Sequence, residues 1–259
     1  MYGAKSIAAT ALRHQQIRID TIANNVANTN TVSFKSARLD FKDALYTTGL
    51  VPGPARSPDE NHQKGHGVMI AGIGREFGRP GAFERTEQPL DLAIEGEGFF
   101  TLQNPDGGVL FTRNGRFSLS VEAEGTFIVN GQGYYLLDGN GNRIVAPFGT
   151  TSIEAGTNGV IRFMQGDNLL GAAELQIVTF RNLFGLAAVG SANFEHTESA
   201  GEILPAGNSI VRQGVLEMSN VSLAEEMTRL IRTQRAFQLA SRALTTADEM
   251  EGVANNMRR

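Results

Sequence analysis

The chain has no cysteine and no tryptophan in 259 residues. The first absence removes disulfides, thiol nucleophiles and Cys-ligated zinc together. It also lacks any apolar run of the roughly 18 residues that a membrane-spanning helix requires. Its start, Met1-Tyr2-Gly3-Ala4-Lys5, leads into a segment mixed with His14, Gln15, Gln16 and Arg18, so neither membrane insertion nor a secretory signal peptide is expected. Positive charge is not in excess: 23 Lys and Arg stand against 27 Asp and Glu, and the sequence pI is about 5.6. That balance gives no global attraction to a phosphate backbone and argues against nucleic acid as the main partner. What is present is 41% hydrophobic residues and 30 glycines, the material of one large or two modest folded domains rich in turns.

The two ends differ from the middle. Apolar residues fall at 8, 12, 19, 22 and 26, and Gln15 completes a 4-3-4-3-4 spacing on one face. This is an amphipathic helix that can pack on other helices. Helical from Ala4 to Asn28, it would be roughly 37 Å long. Asn24, Asn25, Asn28 and Asn30 crowd its end, where amides that hydrogen-bond locally stop a helix. At the other end, Ser222-Leu223-Ala224-Glu225 matches a capping box. Behind it Leu223, Met227, Leu230, Phe237 and Leu244 form one stripe, with Gln234 and Ser241 in register. Ala236, Ala240, Ala243, Ala247, Met250, Ala254 and Met257 form a second. Two apolar faces on a helix of roughly 45 Å imply more than one packing partner.

From Val68 to Val215 the pattern changes to short apolar runs separated by turn signals. Phe99 to Leu102 precedes Pro105-Asp106-Gly107-Gly108, Val109 to Thr112 precedes Asn114-Gly115, Phe127 to Val129 precedes Asn130-Gly131, and Tyr134 to Leu137 precedes Asp138-Gly139-Asn140-Gly141. Asn-Gly and Asp-Gly between such runs signal hairpins, because both central residues of a type I′ turn need positive φ. Ile161 to Met164 and Leu175 to Phe180 continue a series that reads as an antiparallel sandwich or barrel. Thr47 to Gly67, with Pro52, Pro54 and Pro58, reads as an extended link.

Candidate chemical sites fail one by one. His62 and His66 have the spacing of a helical ligand pair but sit in the Gly/Pro-rich link. Asp138-Gly-Asn140-Gly-Asn142 opens like a calcium loop, yet Arg143 stands where its glycine should be and Gly149 where its glutamate should be. Gly96-Glu97-Gly98 and Gly72-Ile73-Gly74 lack the third glycine of a dinucleotide fingerprint and suit strands and bulges better. No G-x-S-x-G elbow exists, and His14 and His196 lie in a helix and a loop without triad spacing. Asn220-Val221-Ser222 matches a glycosylation sequon, but Ser222 already has a capping role. No catalytic residue, cofactor or metal is expected.

The segment Ile22-Ala23-Asn24-Asn25-Val26-Ala27-Asn28-Thr29-Asn30-Thr31-Val32-Ser33-Phe34-Lys35 closely resembles the amino-terminal signature of bacterial flagellar rod and hook proteins. Leu90-Asp91-Leu92-Ala93-Ile94-Glu95-Gly96-Glu97-Gly98-Phe99-Phe100 and Phe111-Thr112-Arg113-Asn114-Gly115-Arg116-Phe117 resemble two internal motifs of that family. Ser219-Asn220-Val221 through Met227, Gln234-Arg235-Ala236-Phe237 and Thr246-Ala247-Asp248-Glu249-Met250 resemble its carboxy-terminal signature. Phe237 stands where the family often has Tyr. The length and single β region resemble the rod proteins, the distal-rod type in particular, rather than the longer hook protein.

The resemblance implies an α+β fold in which long N- and C-terminal helices pair as a coiled coil and carry a central, mainly antiparallel β domain. The expected parts are 1–33 with 216–259 as a helical core, 34–67 as a linker and 68–215 as the β domain. It implies a structural subunit of the flagellar basal-body rod that polymerises through its terminal helices into a hollow axial drive shaft, transmitting torque and passing exported subunits. Implied partners are further copies of the chain, neighbouring rod and hook axial proteins, the type III export apparatus and surrounding ring proteins. The implied location is the basal body outside the cytoplasmic membrane, reached without a cleaved signal peptide. Assembly is expected to use Ile19, Ile22, Asn24, Asn25, Val26, Asn28, Phe34, Leu223, Met227, Leu230, Gln234, Phe237, Leu244 and Met250. Asn24 and Asn28 share a helical face, from which their amides could hydrogen-bond across subunits. The alternative reading is an extracytoplasmic carbohydrate-binding or hydrolytic β-domain protein with helical dimerisation ends. Asp91, Glu95 and Glu97 are then the nearest candidates for an acid pair.

Overall fold

The computed structural model describes residues 2–43, 46–49, 62–65, 68–207 and 209–257. Pro52, Pro54, Pro58 and His66 lie outside them; of the stretch read as an extended link, the described strands Tyr46–Gly49 and His62–Gly65 pair antiparallel, so His62 lies on a strand and not on a helix. The chain divides into two units: Met1–Ala27 with Ala37–Gly74 and Ser222–Arg259, and Asn28–Ser36 with Arg75–Val221. The fold is α+β, and the strand pairings whose register is defined are antiparallel.

The first unit contains two helices, α1 (Tyr2–Ala27) and α2 (Leu223–Asn256), which pack on each other. α1 also packs on the strand Ala37–Asp43, which pairs with Val68–Arg75. α2 runs through Gly252, an exposed position where the loss of helix propensity is tolerated. Ser222 occupies its N-cap position, but its hydroxyl makes no capping hydrogen bond, contrary to the capping-box expectation. Its carbonyl instead accepts the first intrahelical bond from Glu226 N at 3.0 Å. Glu225 and Glu226 in the first turn face the positive end of the helix dipole and partly replace the missing cap.

The second unit is built on strands. Phe99–Gln103 explains its organisation, because consecutive side chains on a strand point to opposite faces. Phe100 and Leu102 enter one buried cluster with Leu92, Ile94, Ile128, Leu136, Ile161 and Phe163. Phe99 enters another with Phe111, Val178, Phe180 and Phe194. The neighbouring strand Val109–Thr112 repeats the division, with Leu110 in the first cluster and Phe111 in the second. Both faces of the central sheet are therefore covered, which is why Phe-Phe-Thr-Leu reads as a continuous apolar run rather than an alternating one. The second cluster is aromatic, with edge-to-face contacts of Phe180 on Phe99 at 5.7 Å and on Phe111 at 4.8 Å.

Three of the four turn signals close as expected. Phe99–Gln103 and Val109–Thr112 form a hairpin over Pro105-Asp106-Gly107-Gly108. Asn130 Oδ1 accepts from Gln132 N and Tyr134 N at 3.0 and 2.9 Å, turning Gly125–Asn130 into Tyr135–Leu136. Asp138 Oδ1 accepts from Asn140 N and Asn142 N at 3.0 and 2.8 Å, so the residue that opens the calcium-like sequence serves its own turn. Asn114-Gly115 is the exception. Val109–Thr112 does not pair with Phe117–Glu122, which pairs instead with Gly125–Asn130. At Gly115 the chain crosses to another strand, its carbonyl accepting from Leu92 N at 2.9 Å. A Cβ there would stand 1.5 Å from Leu92 O, so glycine is required by the close approach of two backbones.

Gly115→Ala should accordingly lower the urea midpoint of the strand unit, by the several kcal/mol expected when packed backbone must shift. Gly131→Ala, where nothing lies within 4 Å, should change it by less than about 1 kcal/mol. Equal midpoints for the two variants would show that the crossing is not tight.

Candidate assembly site

In the first unit, positions 226, 230, 233, 237, 240, 244, 247 and 251 of α2 are buried or half-buried in an alternating 4-3 spacing, with half-buried 236 and 241 beside that row. On α1, positions 8, 12, 15, 19, 22 and 26 are likewise removed from solvent. The α1 row is the row expected from the sequence, whereas the α2 row combines Leu230, Phe237 and Leu244 of the first expected stripe with Ala240 and Ala247 of the second and adds Glu226, Thr233 and Glu251. Leu230, Phe237 and Leu244 belong to the α2 row. Leu223 and Met227, from the same expected stripe, do not: both are exposed, and with Ile231, 52% exposed, they form a separate apolar line beside it. Leu239, Met250, Val253 and Met257 are exposed further around the helix, Leu239 at 65%. Gln234 is exposed, and Ala236 is half-buried.

The Asn cluster divides by geometry. Asn25 is 1% exposed. Its Oδ1 accepts from Ala37 N at 2.8 Å, and its Nδ2 donates to Ala37 O at 3.0 Å and to Glu226 Oε2 at 3.4 Å. Arg229 Nη1 donates to the other oxygen of Glu226 at 2.7 Å. One amide thus ties the last turn of α1 to the start of the Ala37–Asp43 strand and to the first turn of α2, using both donor and acceptor. Asn24 is exposed, and half-buried Asn28 accepts from Thr31 Oγ1 at 3.1 Å.

In the second unit, the segment that follows α1 and the strand that precedes α2 meet at a buried ion cluster. Glu217 ends the strand Val215–Glu217 and is 1% exposed. Its Oε1 accepts from Lys35 Nζ at 2.7 Å and Gly81 N at 3.0 Å, and its Oε2 accepts from Arg113 Nε at 2.9 Å. The Arg113 guanidinium is completed by the carbonyls of Ile94, Gly96 and Gly98 at 2.9 to 3.1 Å. Gly96 and Gly98, with φ of 110° and 142°, bend the chain around that cation. Lys35 Nζ also donates to Arg79 O at 3.1 Å. Ser33 Oγ donates to Arg113 O at 2.7 Å, and Phe34 is buried with Arg75 over its ring. Asn220 serves the same junction: its Oδ1 accepts from Ser36 N at 2.8 Å while its Nδ2 donates to Glu76 O and Arg79 O.

One carboxylate is shared by two cations, and the pKa shifts follow. Burial alone would raise Glu217, but the charges of Arg113 and Lys35, with the hydrogen bonds from Lys35 and Gly81, outweigh it and hold the carboxyl below its usual range. Burial lowers Lys35 despite Glu217, because Arg113 claims the same partner and repels the ammonium.

The carboxylates of the hydrolase reading are not assembled. Glu95 is engaged by Arg212 at 2.5 Å, Asp91 is buried, and Glu97 is exposed. His196 Nε2 lies 2.7 Å from Gly201 O in a local loop. Glu217, Glu226, Ile231 and Leu239 were not singled out in the sequence. Glu226 had a visible signal, since it precedes Leu230 by four residues in the seam spacing. Glu217 had only an indirect one, two cations, Lys35 and Arg113, inside apolar segments whose burial requires an anion.

Comparison with known proteins agrees with these locations. Residues 6–35 match the family described as flagella basal body rod protein, residues 93–163 the flagellar hook protein FlgE/F/G D1 domain, and residues 212–257 the flagellar basal body rod FlgEFG protein C-terminal family. The chain is 36% identical to the flagellar basal-body rod protein FlgG of Borreliella burgdorferi, over 97% of both chains. It is 34% identical to FlgG of Bacillus subtilis, over 96% of this chain and 97% of that one. It is 31% identical to the flagellar hook-basal body complex protein FlhP of Bacillus subtilis, over 97% of both.

Glu217→Gln should destabilise the strand unit by about 3–5 kcal/mol at neutral pH, because it leaves two buried cations without their anion. The sign with pH is fixed by the lowered folded pKa of Glu217. Its contribution is fully present above the unfolded carboxyl pKa and is lost as pH falls through the folded one. Urea melts should therefore show a gap between parent and variant that narrows in acid. A gap independent of pH would contradict the assignment.

Proposed function

The chain belongs to the flagellar basal-body rod protein family, and from that premise we propose that it is a structural, non-catalytic subunit of the rod, assembling through α1 and α2 with further copies of itself and with adjoining axial proteins. The observation that carries the reading is the second apolar line on α2. The seam row packs within the chain, while Leu223, Met227 and Ile231 remain in water beside it. A single exposed Leu is ordinary, but apolar residues recurring at i, i+4 and i+8 form a ridge that another helix can cover.

In this reading α1 and α2 form a coiled-coil pair, and in the polymer their outer faces pack on the helices of neighbouring subunits around an axial channel. Ile19, Ile22, Val26, Leu230, Phe237 and Leu244 build the pair, Asn25 fixes its register, and Leu223, Met227, Gln234 and Met250 reach other copies. Asn24 and Asn28 are placed at the end of α1 for contacts across subunits, and Phe34 anchors the chain where it leaves that helix. The basal body places such a subunit outside the cytoplasmic membrane, delivered by the flagellar export apparatus and surrounded by ring proteins. Among the described residues no helix is long and apolar enough to cross a membrane.

The double substitution Met227→Glu with Ile231→Glu tests this reading. It should leave the helical circular dichroism of the full chain unchanged but weaken self-association at least tenfold in sedimentation velocity, equal to ~1.4 kcal/mol. Assembly with the affinity of the parent chain would refute the role of that face.

A further inference from the structure

The face of α2 opposite its seam row carries another row with the same spacing. Five residues on from seam positions 230, 237 and 244, about 140° around the helix, stand Arg235, Arg242 and Glu249. Ile231, Gln238 and Thr245 complete the row in alternating steps of four and three, and all six residues are exposed. The charges are segregated along it, with both cations ahead of the acid.

None of these charges is answered on its own helix. Opposite charges three or four residues apart pair on a helix surface, as Arg229 does with Glu226 at 2.7 Å. No Asp or Glu lies within four residues of Arg235 or Arg242, and no Lys or Arg lies within four of Glu249. Arg232 and Arg235 instead stand at a spacing where like charges repel. Among the described residues, Arg235, Arg242 and Glu249 make no ion pair. The other helix does not offer the missing acid: the exposed charges described on α1 are Arg13, Arg18 and Asp20, and Asp20 Oδ1 already accepts from Gln16 Nε2 at 2.9 Å.

We propose that this outer row packs on the same row of a second copy, the two α2 helices running parallel with a stagger of two heptads, about 21 Å, so that Glu249 of one copy lies against Arg235 of the other. Rows of this spacing superpose only at whole heptads, and the charges select among them. In register, cations face cations. A stagger of one heptad sets Glu249 beside Arg242 but also Arg242 beside Arg235, and three heptads leave Glu249 facing Thr228. At two heptads Glu249 meets Arg235 while Arg242 meets only Thr228. The side chains next to the row fit the same stagger. Met250, Val253 and Met257, which are 58%, 58% and 80% exposed, come level with Ala236, Leu239 and Ala243, so each methionine meets an alanine and Val253 meets Leu239. The apolar contacts supply affinity, and the charges fix the register. The two ends of the contact are different stretches of one surface, so it is heterologous and repeats from copy to copy without closing. The inference rests on the reading of the chain as a rod subunit that assembles through its helices, and it adds the register of that assembly.

Charge reversal in the full chain tests the register. Glu249→Arg and Arg235→Glu should each weaken self-association about tenfold in sedimentation velocity while the helical circular dichroism stays unchanged. The chain carrying both substitutions should associate within about twofold of the parent. Single variants that associate like the parent, or a double variant no better than the singles, overturn the register and leave the helix reading standing. Rescue by Arg242→Glu combined with Glu249→Arg overturns it too, since that pair mends a stagger of one heptad or an antiparallel closed dimer. A parent chain that stays monomeric at every concentration overturns both the register and the helix reading.

Discussion

A single carboxylate neutralising two cations ties together three segments of the strand unit that lie far apart in the sequence. Lys35 arrives from the N-terminal side, Arg113 from the middle of the chain and Glu217 from the C-terminal side, and all three lose water when they meet. The desolvation is offset only because almost every polar group in the cluster is satisfied, by Gly81 N on one side and by the carbonyls around Arg113 on the other. An apolar trio could have been as stable. Charged groups with fixed hydrogen-bond directions permit one arrangement of the three segments rather than several, and a subunit that repeats in a polymer benefits from such specificity.

The first unit uses the same device at smaller scale. Asn25 and Glu226 are polar residues at seam positions, where Leu would bury more apolar area but would slide more easily along its neighbour. Stability is exchanged for register. The apolar line of Leu223, Met227 and Ile231, left in water beside that seam, has the opposite character: it is costly to a lone chain and useful to one that has neighbours.

Both helices, the apolar row along α1 and most of the turns were legible in the sequence, because each is encoded by local spacing or by one side chain folding back on its own backbone, as with Asn130 and Asp138. What could not be read depended on distance. Asn114-Gly115 has the local chemistry of a hairpin but serves a crossing, since Gly125–Asn130 offers Phe117–Glu122 a longer pairing than Val109–Thr112 could. The role of Glu217 left only an indirect trace because its partners lie 182 and 104 residues away. Leu223 and Met227 fit the expected stripe by spacing alone, but at 3.6 residues per turn the start of α2 rotates them out of the seam.

In the proposed rod subunit the terminal helices are completed by other copies of the chain. Hydrogen exchange of backbone amides, compared between dilute monomer and assembled protein, measures this most directly. The predicted result is a large gain of protection along α1 and α2 on assembly, with little change in the already protected strands Leu92–Glu95 and Phe99–Gln103. Helices that exchange equally fast in both states, while the protein is demonstrably assembled, would contradict it.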